Sequence, residues 1–297
     1  MRRILLFLLP FLLFTGCNDI QKKETLPLTE TVKVSAEAEE DSLIYVSLGD
    51  SIARGYGLTH IYEERFSTIA GQSWKTKEAV EVYNYGVDGQ TSTELITMLA
   101  EMDIPELKEA DVVSISIGAN NVLGPAFTFL HNYYLYLYAE PAQFDDTEIA
   151  EQFRLFTEAA DAGCVVLEQD IPLLLDTLRG INPDCQILFL TLYNPYEAVN
   201  TVFQIGGMPI SLAALSDTYV SLINDCIRSG TGNDQNLKIV DVYSAFSGRG
   251  KELLYAVTPD DFPPSEMNMA YMDPHPNAAG HKVIGQLTAK AYEQNTP

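Results

Sequence analysis

The sequence predicts an α/β domain in which a mostly parallel five-stranded sheet is covered by helices on both faces. The first observation is a set of short apolar, β-rich runs, at residues 43–48, 80–85, 112–117, 187–192 and 238–243. The second is that the segments between these runs are long enough for helices, and alternating strands and helices imply a parallel sheet. The third is length, because residues 43–297 suffice for one such domain.

Residues 1–16 have the pattern of a secretory signal. Arg2 and Arg3 precede an apolar run that is shorter than the ~20 residues needed to span a membrane. The run ends in Thr-Gly before Cys17, which resembles a bacterial lipobox, in which the cysteine is acylated and begins the mature chain. Because two acyl chains suffice for stable anchoring, we expect a lipoprotein held through Cys17 on the extracytoplasmic face of the cell membrane. The alternative is an ordinary signal peptide with an incidental cysteine.

Residues 17–42 are predicted to form a flexible tether, because they are rich in Lys, Glu, Thr and Ala and show no sustained apolar period. The whole chain carries a formal net charge of -23, and such an acidic surface repels nucleic acid and anionic headgroups. We therefore expect no nucleic-acid partner. We also expect the lipid anchor, rather than a basic patch, to hold the protein at the membrane.

Helical patterns are clearest at residues 93–102, at residues 211–227 and at the end of the chain. There Asn277 can cap a terminal helix, and the preceding proline favours the turn. The apolar side chains of that helix recur at helical spacing, at Val283, Ile284, Leu287 and Ala291.

The residues that follow the predicted strands converge on one rim of the sheet. Gly49-Asp50-Ser51 follows the first strand, and glycines and small polar residues follow the next three, at 86–91, 118–121 and 193–195. In open α/β sheets, ligands bind beyond the carboxyl ends of the strands. We therefore expect the functional site at this rim.

A serine and a histidine at the rim indicate nucleophilic catalysis. Ser51 comes directly after a buried strand, where Gly49 lets the backbone turn sharply, and its hydroxyl needs a base to remove the proton. Of the four histidines, only His275 lies in a turn just before the terminal helix. Asp273 lies two residues earlier and could orient the imidazole.

Each of these residues also has a plainer interpretation. Ser51 could be only a helix cap, and His275 could be a structural turn residue. A metal site of Asp273, His275 and His281 is a further alternative. His275 and His281 lie six residues apart across a predicted helix start and would not share a face, so we expect no metal.

Acyl transfer also needs hydrogen-bond donors aimed at the developing oxyanion. Gly89 offers a backbone amide on the loop after the second strand, and Asn120 offers a side-chain amide after the third. The alternatives are an ordinary tight turn at Gly89 and a strand-end cap at Asn120.

Four blocks of sequence occur in order over nearly all of residues 43–297, namely Gly49-Asp50-Ser51-Ile52, residues 84–92, Gly118-Ala119-Asn120-Asn121 and the His275-Pro276-Asn277 turn. Together they resemble the SGNH, or GDSL-type, family of bacterial serine esterases and lipases. The resemblance implies a flavodoxin-like three-layer α/β/α sandwich that hydrolyses carboxylic esters without a metal or an organic cofactor.

The same resemblance assigns a role to each matched residue. It implies that Ser51 is the nucleophile, His275 the base and Asp273 its partner. It also implies an oxyanion hole formed by the Ser51 amide, Gly89 and Asn120.

The chain departs from the family pattern at two positions. Asn121 stands where the third block usually has an acid, which should alter local support more than chemistry. Asp273 and His275 are two residues apart rather than the usual three, so Asp260 and Asp261 remain substitutes for the orienting carboxylate.

A long segment at about residues 122–170 is crowded with aromatic residues in its first part. It could form a lid or an acyl-binding wall above Ser51, or a core helix with aromatic packing. Composition does not choose between an acyl ester or other lipid and an acetylated glycan as substrate. Two other classes stay open, a non-catalytic surface lipoprotein that binds glycan or lipid, and a nucleotide or flavin binder, although no Gly-x-Gly-x-x-Gly or Walker pattern is present.

Overall fold

The computed structural model describes residues 30–33, 42–74, 79–138, 145–232 and 234–293. Its strands are β1 (Glu30–Lys33), β2 (Leu43–Gly49), β3 (Val80–Gly86), β4 (Val112–Ser116), β5 (Gln186–Leu190), β6 (Val202–Ile205), β7 (Met208–Ser211) and β8 (Leu237–Val240). Its α-helices are α1 (Ser51–Arg54), α2 (Ile61–Glu64), α3 (Phe66–Trp74), α4 (Ser92–Glu101), α5 (Pro105–Lys108), α6 (Asn120–Tyr138), α7 (Asp146–Ile181), α8 (Leu212–Gly230), α9 (Val242–Phe246), α10 (Gly250–Leu253) and α11 (Ala278–Glu293). A short 3-10 helix covers Met269–Tyr271.

The predicted signal and Cys17 lie outside the described residues. Within the described part of the chain, no helix combines the length and the apolar character needed to cross a membrane.

The central sheet contains the five predicted strands, all parallel, in the order β3-β2-β4-β5-β8. Every residue of β4 is buried, as expected for a central strand of a sheet that helices cover on both faces. Gly49 at the end of β2 pairs with Gly86 of β3 and with Ser116 of β4. The carboxyl ends of these three strands are therefore level, and the segments that follow them start from one rim.

Two hydrophobic cores lie on opposite faces of the sheet, which confirms the three-layer architecture. Successive residues of β2 alternate between them, so that Tyr45 packs with α3 and α11 while Val46 packs with α4, α7 and α8. The terminal helix α11 begins where predicted, because the Asn277 side chain accepts hydrogen bonds from Ala279 N at 2.9 Å and Gly280 N at 3.0 Å.

The structure corrects the sequence interpretation at three places. Residues Glu30–Lys33 belong to the predicted tether but form β1, an antiparallel strand on the open edge of β3, where unpaired backbone groups accept a partner. The last strand ends at Val240, because Asp241 caps helix α9 through a hydrogen bond from Ser244 N. The β6-β7 hairpin was not predicted.

The long segment between β4 and β5 forms two helices, α6 and α7. Helix α6 starts at the rim and α7 runs back beside it, since Asn121 lies against Gly163 and Asn132 bonds to Gln152. Phe129 of α6 is buried, and its ring contacts that of Phe156 of α7. The first part of the segment is therefore a core helix with aromatic packing, which was one of the two interpretations of the sequence. The same helix also lies over the carboxyl edge of the sheet.

Candidate active site

Ser51 is the first residue of α1, at a sharp turn after β2. Gly49 has φ +134°, and a Cβ there would lie 2.0 Å from the carbonyl oxygen of Ser116, so only glycine fits. Asp50 caps α1, because its Oδ1 accepts a hydrogen bond from Ile52 N at 2.9 Å. The turn fixes the Ser51 hydroxyl at the rim, and the helix cap belongs to Asp50 rather than to Ser51.

The structure brings Ser51, His275 and Asp273 into one hydrogen-bonded chain. His275 Nε2 lies 2.9 Å from Ser51 Oγ, and His275 Nδ1 lies 2.6 Å from Asp273 Oδ1. The same carboxylate oxygen accepts a hydrogen bond from the backbone N of His275 at 3.0 Å. The two-residue spacing therefore lets one carboxylate hold both the ring and the backbone of the histidine.

Tyrosines hold the loop that carries His275. The hydroxyl of Tyr193 donates to the carbonyl of Pro274 at 3.0 Å, and that of Tyr196 donates to the carbonyl of Met272 at 3.3 Å. The ring of Tyr56 lies on the imidazole, with centroids 4.6 Å apart. These contacts restrain the imidazole from the backbone and from one face.

The two acidic groups near His275 have opposite pKa shifts. Burial alone would raise the pKa of Asp273, but the ring hydrogen bond, the charge and the backbone N–H of His275 together hold it below its ordinary value. Burial raises the pKa of Asp50 to about 7, against the hydrogen bond from Ile52 N. Asp273 is therefore ionised at neutral pH, whereas Asp50 is partly protonated.

The substitutes considered for Asp273 do not reach the imidazole. Asp260 and Asp261 are exposed, and Asp260 forms an ion pair with Lys251. The orienting contact is made by Asp273.

His281 is a core residue. It is fully buried in α11, its ring stacks on that of Phe66 with centroids 6.3 Å apart, and burial lowers its pKa to about 3. Neither ring nitrogen has a hydrogen-bond partner among the described residues, and no three His, Cys, Asp or Glu side chains of that part of the chain cluster as metal ligands would. The alternative metal set of Asp273, His275 and His281 is not assembled.

The predicted oxyanion donors lie on the segments next to Ser51. Gly89 has φ +78° on an exposed loop, which Asp88 ties to α1 through an ion pair with Arg54 at 2.6 Å. The backbone amides of Ser51 and Gly89 donate to no acceptor within the described ranges. Asn120 uses one amide hydrogen to bond Gln90 O at 3.0 Å, which leaves its second hydrogen available.

Asn121, one of the departures from the family pattern, supports the neighbouring loop. Its Oδ1 accepts from Ser92 N at 3.1 Å, and its Nδ2 donates to Ser92 Oγ at 2.8 Å. Helix α4 begins at Ser92, directly after the Gly89 loop. Asn121 therefore helps to fix the start of α4.

A cavity of about 850 Å³, measured with its open mouth, extends from the Ser51 hydroxyl and the His275 ring. Its walls come mainly from α6, α8 and residues 192–196 after β5, with one residue from α7 and one from the β6-β7 hairpin, and most of its lining side chains are apolar. Asn120 also lines this cavity, whereas Gly89 does not.

Sequence reasoning missed the tyrosines and the hairpin. Tyr193 lies in a segment that the rim rule singled out, so a signal existed for it. Tyr56 and Phe203 reach the site from an exposed turn and an unpredicted hairpin, and no local pattern marked them.

Comparisons with known proteins agree with this fold. The model of the GDSL-like lipase/acylhydrolase family matches residues 47–283. The spore germination lipase LipC of Bacillus licheniformis is 26% identical over 254 residues, covering 81% of this chain and 97% of that protein.

Solved structures show the same fold. The lipase Lip_vut3 from a goat rumen metagenome has 20% identity and a TM-score of 0.57, covering 84% of this chain and 97% of its own. Phospholipase A1 from Streptomyces albidoflavus has 14% identity and a TM-score of 0.55, covering 85% and 99%. Since the family model spans most of the chain, including all four blocks, the protein belongs to the GDSL-like lipase/acylhydrolase family.

Proposed function

We propose that this protein is a serine hydrolase that cleaves carboxylic esters through an acyl-Ser51 intermediate. The observation that carries the proposal is the continuous contact from Asp273 through His275 to Ser51, at 2.6 and 2.9 Å. Membership of a lipase and acylhydrolase family supports ester hydrolysis as the general reaction. The named lipase LipC, matched over nearly its whole length, supports a lipid ester as substrate.

The first half of the reaction forms the acyl-enzyme. With the Nδ1 proton of His275 directed at the Asp273 carboxylate, the lone pair of Nε2 faces Ser51 and removes the hydroxyl proton. Ser51 Oγ then bonds to the carbonyl carbon, and the carbonyl oxygen becomes an oxyanion. When the C–O bond to the alcohol breaks, His275 gives the same proton to the departing oxygen.

The second half releases the acid. His275 removes a proton from a water molecule, which attacks the acyl carbon, and the proton returns to Ser51 Oγ as the acyl bond breaks. In both halves, the amides of Ser51 and Gly89 and the free hydrogen of Asn120 are the proposed donors to the oxyanion, and loss of one such donor typically costs about 3 to 4 kcal/mol in the barrier.

Hydrolysis of p-nitrophenyl butyrate by the full chain in detergent tests this proposal. Ser51→Ala and His275→Ala should each lower kcat by at least about 10³-fold, because such residues act as a unit. Ser229→Ala and His131→Ala remove the same side-chain types at exposed positions and should keep the wild-type rate. A fluorophosphonate should label Ser51, as found by peptide mass spectrometry. Wild-type turnover by Ser51→Ala, or a label on another serine, would contradict the mechanism.

We also propose that Cys17 carries a lipid anchor that holds the enzyme at the extracytoplasmic face of the membrane, next to lipid substrates. Its support is the short apolar run that ends in Thr-Gly-Cys. Mass spectrometry of the protein from its producing bacterium should find a diacylated N-terminal cysteine, and Cys17→Ser should move the protein from the membrane to the soluble fraction. A mature soluble form that keeps an unmodified Cys17 is the result that rules out the anchor.

A further inference from the structure

The cavity beside Ser51 has a definite direction and a closed end. Helix α6 leaves the rim at Asn120, and its stretch to Phe129 rises about 14 Å, at about 1.5 Å per residue. Both residues line the cavity, as do Ser51 and His275. The space therefore extends along α6 from the reacting atoms towards Phe129.

Three phenylalanines close the far end. The ring centroid of Phe129 lies 5.6 Å from that of Phe156 and 5.1 Å from that of Phe203, and all three rings are buried. Phe156 comes from α7 and Phe203 from the hairpin, so three separate elements lock this phenylalanine floor in place. These buried rings lie in the path of a chain that runs from Ser51 along α6.

The polar groups along the cavity suit an alkyl chain rather than a sugar. The hydroxyls of Tyr193, Tyr196 and Tyr219 are bonded to Pro274 O, Met272 O and the Asp161 carboxylate, so these residues present their rings. Beyond the residues at Ser51, only Asp50 and Ser216 add polar side chains to the lining. The hydroxyls of a glycan would lose their water without enough partners, which is costly, whereas an alkyl chain gains by leaving water.

We propose that this cavity binds the acyl chain of the substrate and that the phenylalanine floor limits that chain to about ten carbons. The inference rests on the proposed role of Ser51, since the acyl carbon must be the one that Ser51 attacks. The length follows from the rise of about 14 Å, because C–C bonds of about 1.5 Å advance an extended chain by roughly 1.3 Å each. Medium-chain acyl esters are therefore the substrate class, and acetylated glycans are not.

Chain-length profiles test the inference directly. p-Nitrophenyl esters from acetyl to hexadecanoyl are compared by kcat/KM, below their micelle concentrations, with the full chain. Burial of one methylene group can raise kcat/KM up to about fourfold. The kcat/KM of the decanoyl ester should therefore exceed that of the butyryl ester by at least about tenfold, and the increase with chain length should end near ten carbons. A second series of butyrate esters with longer alcohols should show no such gain.

Two variants change the cavity in opposite ways. Ala126→Phe places a ring about two thirds of the way along it and should lower the decanoyl-to-butyryl ratio of kcat/KM at least about tenfold. Phe156→Ala opens the floor and should move the optimum to acyl chains about two to four carbons longer. Leu155→Ala is the matched control, because this neighbouring side chain is exposed and outside the cavity, and it should keep the wild-type profile.

The outcomes separate this inference from the proposed catalytic role. A flat acyl profile, a gain with alcohol length instead, or an unchanged profile in Ala126→Phe would overturn the acyl site, provided that Ser51→Ala still abolishes butyrate hydrolysis. Undiminished butyrate hydrolysis by Ser51→Ala would instead overturn the catalytic role of Ser51. If Phe156→Ala fails to fold, Ala126→Phe still decides the question.

Discussion

Replacing Asp273 by Asn tests the least family-like feature of the site. Asp273 Oδ1 accepts both the ring Nδ1–H and the backbone N–H of His275, at 2.6 and 3.0 Å. The amide of Asn can instead donate to Nδ1, which moves the ring proton to Nε2. Ser51 would then face an N–H rather than a lone pair, and the imidazolium formed during reaction would lose its counter-charge.

The expected loss of transition-state stabilisation in Asp273→Asn follows from the charge and the exposure of the Asp273 side chain. A carboxylate and an imidazolium with charge centres about 4 Å apart attract by about 4 kcal/mol at an effective dielectric constant of about 20. The Asp273 side chain is 40% exposed, so solvent screens part of this attraction. A loss of about 2 to 4 kcal/mol in transition-state stabilisation corresponds to about 30- to 1000-fold in kcat/KM.

The assay is hydrolysis of p-nitrophenyl butyrate, with the rate of fluorophosphonate labelling of Ser51 as a second readout, and both should fall together. Circular dichroism checks that the variant is folded. Asp261→Asn is the matched control, because this carboxylate is exposed and away from the ring. Wild-type turnover in Asp273→Asn, or an equal loss in Asp261→Asn, would refute the assignment of Asp273 and leave Ser51 and His275 standing.

Two further predictions concern the turn that carries Ser51. Gly49→Ala should lower the free energy of unfolding by about 3 kcal/mol or more, because the added Cβ would overlap Ser116 O. Gly248 also has a positive φ but has open space around it, so Gly248→Ala should lower the free energy of unfolding by only about 1 to 2 kcal/mol. Equal losses of the two variants in urea denaturation would refute the clash. Burial raises the pKa of Asp50 to about 7, from about 3.9 when unfolded, so its contribution to stability is full below about pH 4 and is lost as the pH rises towards 7. The unfolding free energy of Asp50→Asn, measured relative to that of wild type, should therefore be about 2 to 4 kcal/mol higher at pH 7 than at pH 4. If the unfolding free energies of the two proteins run parallel over this pH range, the reasoning is contradicted.

Features that depend on neighbouring residues could be read from the sequence. The five parallel strands are rich in apolar residues because helices cover both faces of the sheet, and this signal needs no knowledge of the partner strands. Asn277 caps α11 through residues two and three positions later, which is again a local contact. The turn at Gly49 is of the same kind, since a glycine between a strand and a helix marks a sharp turn.

Features that depend on an unpaired strand edge or on residues distant in the chain could not be read from the sequence. Residues Glu30–Lys33 form a strand only because β3 presents an open edge, and their polar composition resembled a tether. The orienting carboxylate stayed open between Asp273, Asp260 and Asp261, because side-chain direction depends on how Tyr193 and Tyr196 hold the loop. Both tyrosines lie more than 70 residues away in the chain.

The sequence by itself determined the five parallel strands and the rim at which Ser51 and Asn120 lie, because the carboxyl ends of parallel strands meet at one edge whatever covers the faces. It also indicated the family and placed His275 in a turn before the last helix. Only the tertiary structure decided the cavity. Phe129, Phe156 and Phe203 come from two helices and a hairpin. Because hydrophobic attraction is non-directional, the sequence around each phenylalanine does not show which residues its ring will contact. Whether such side chains fill a core or end a binding site depends on how these elements pack over the rim, which is a property of the folded chain.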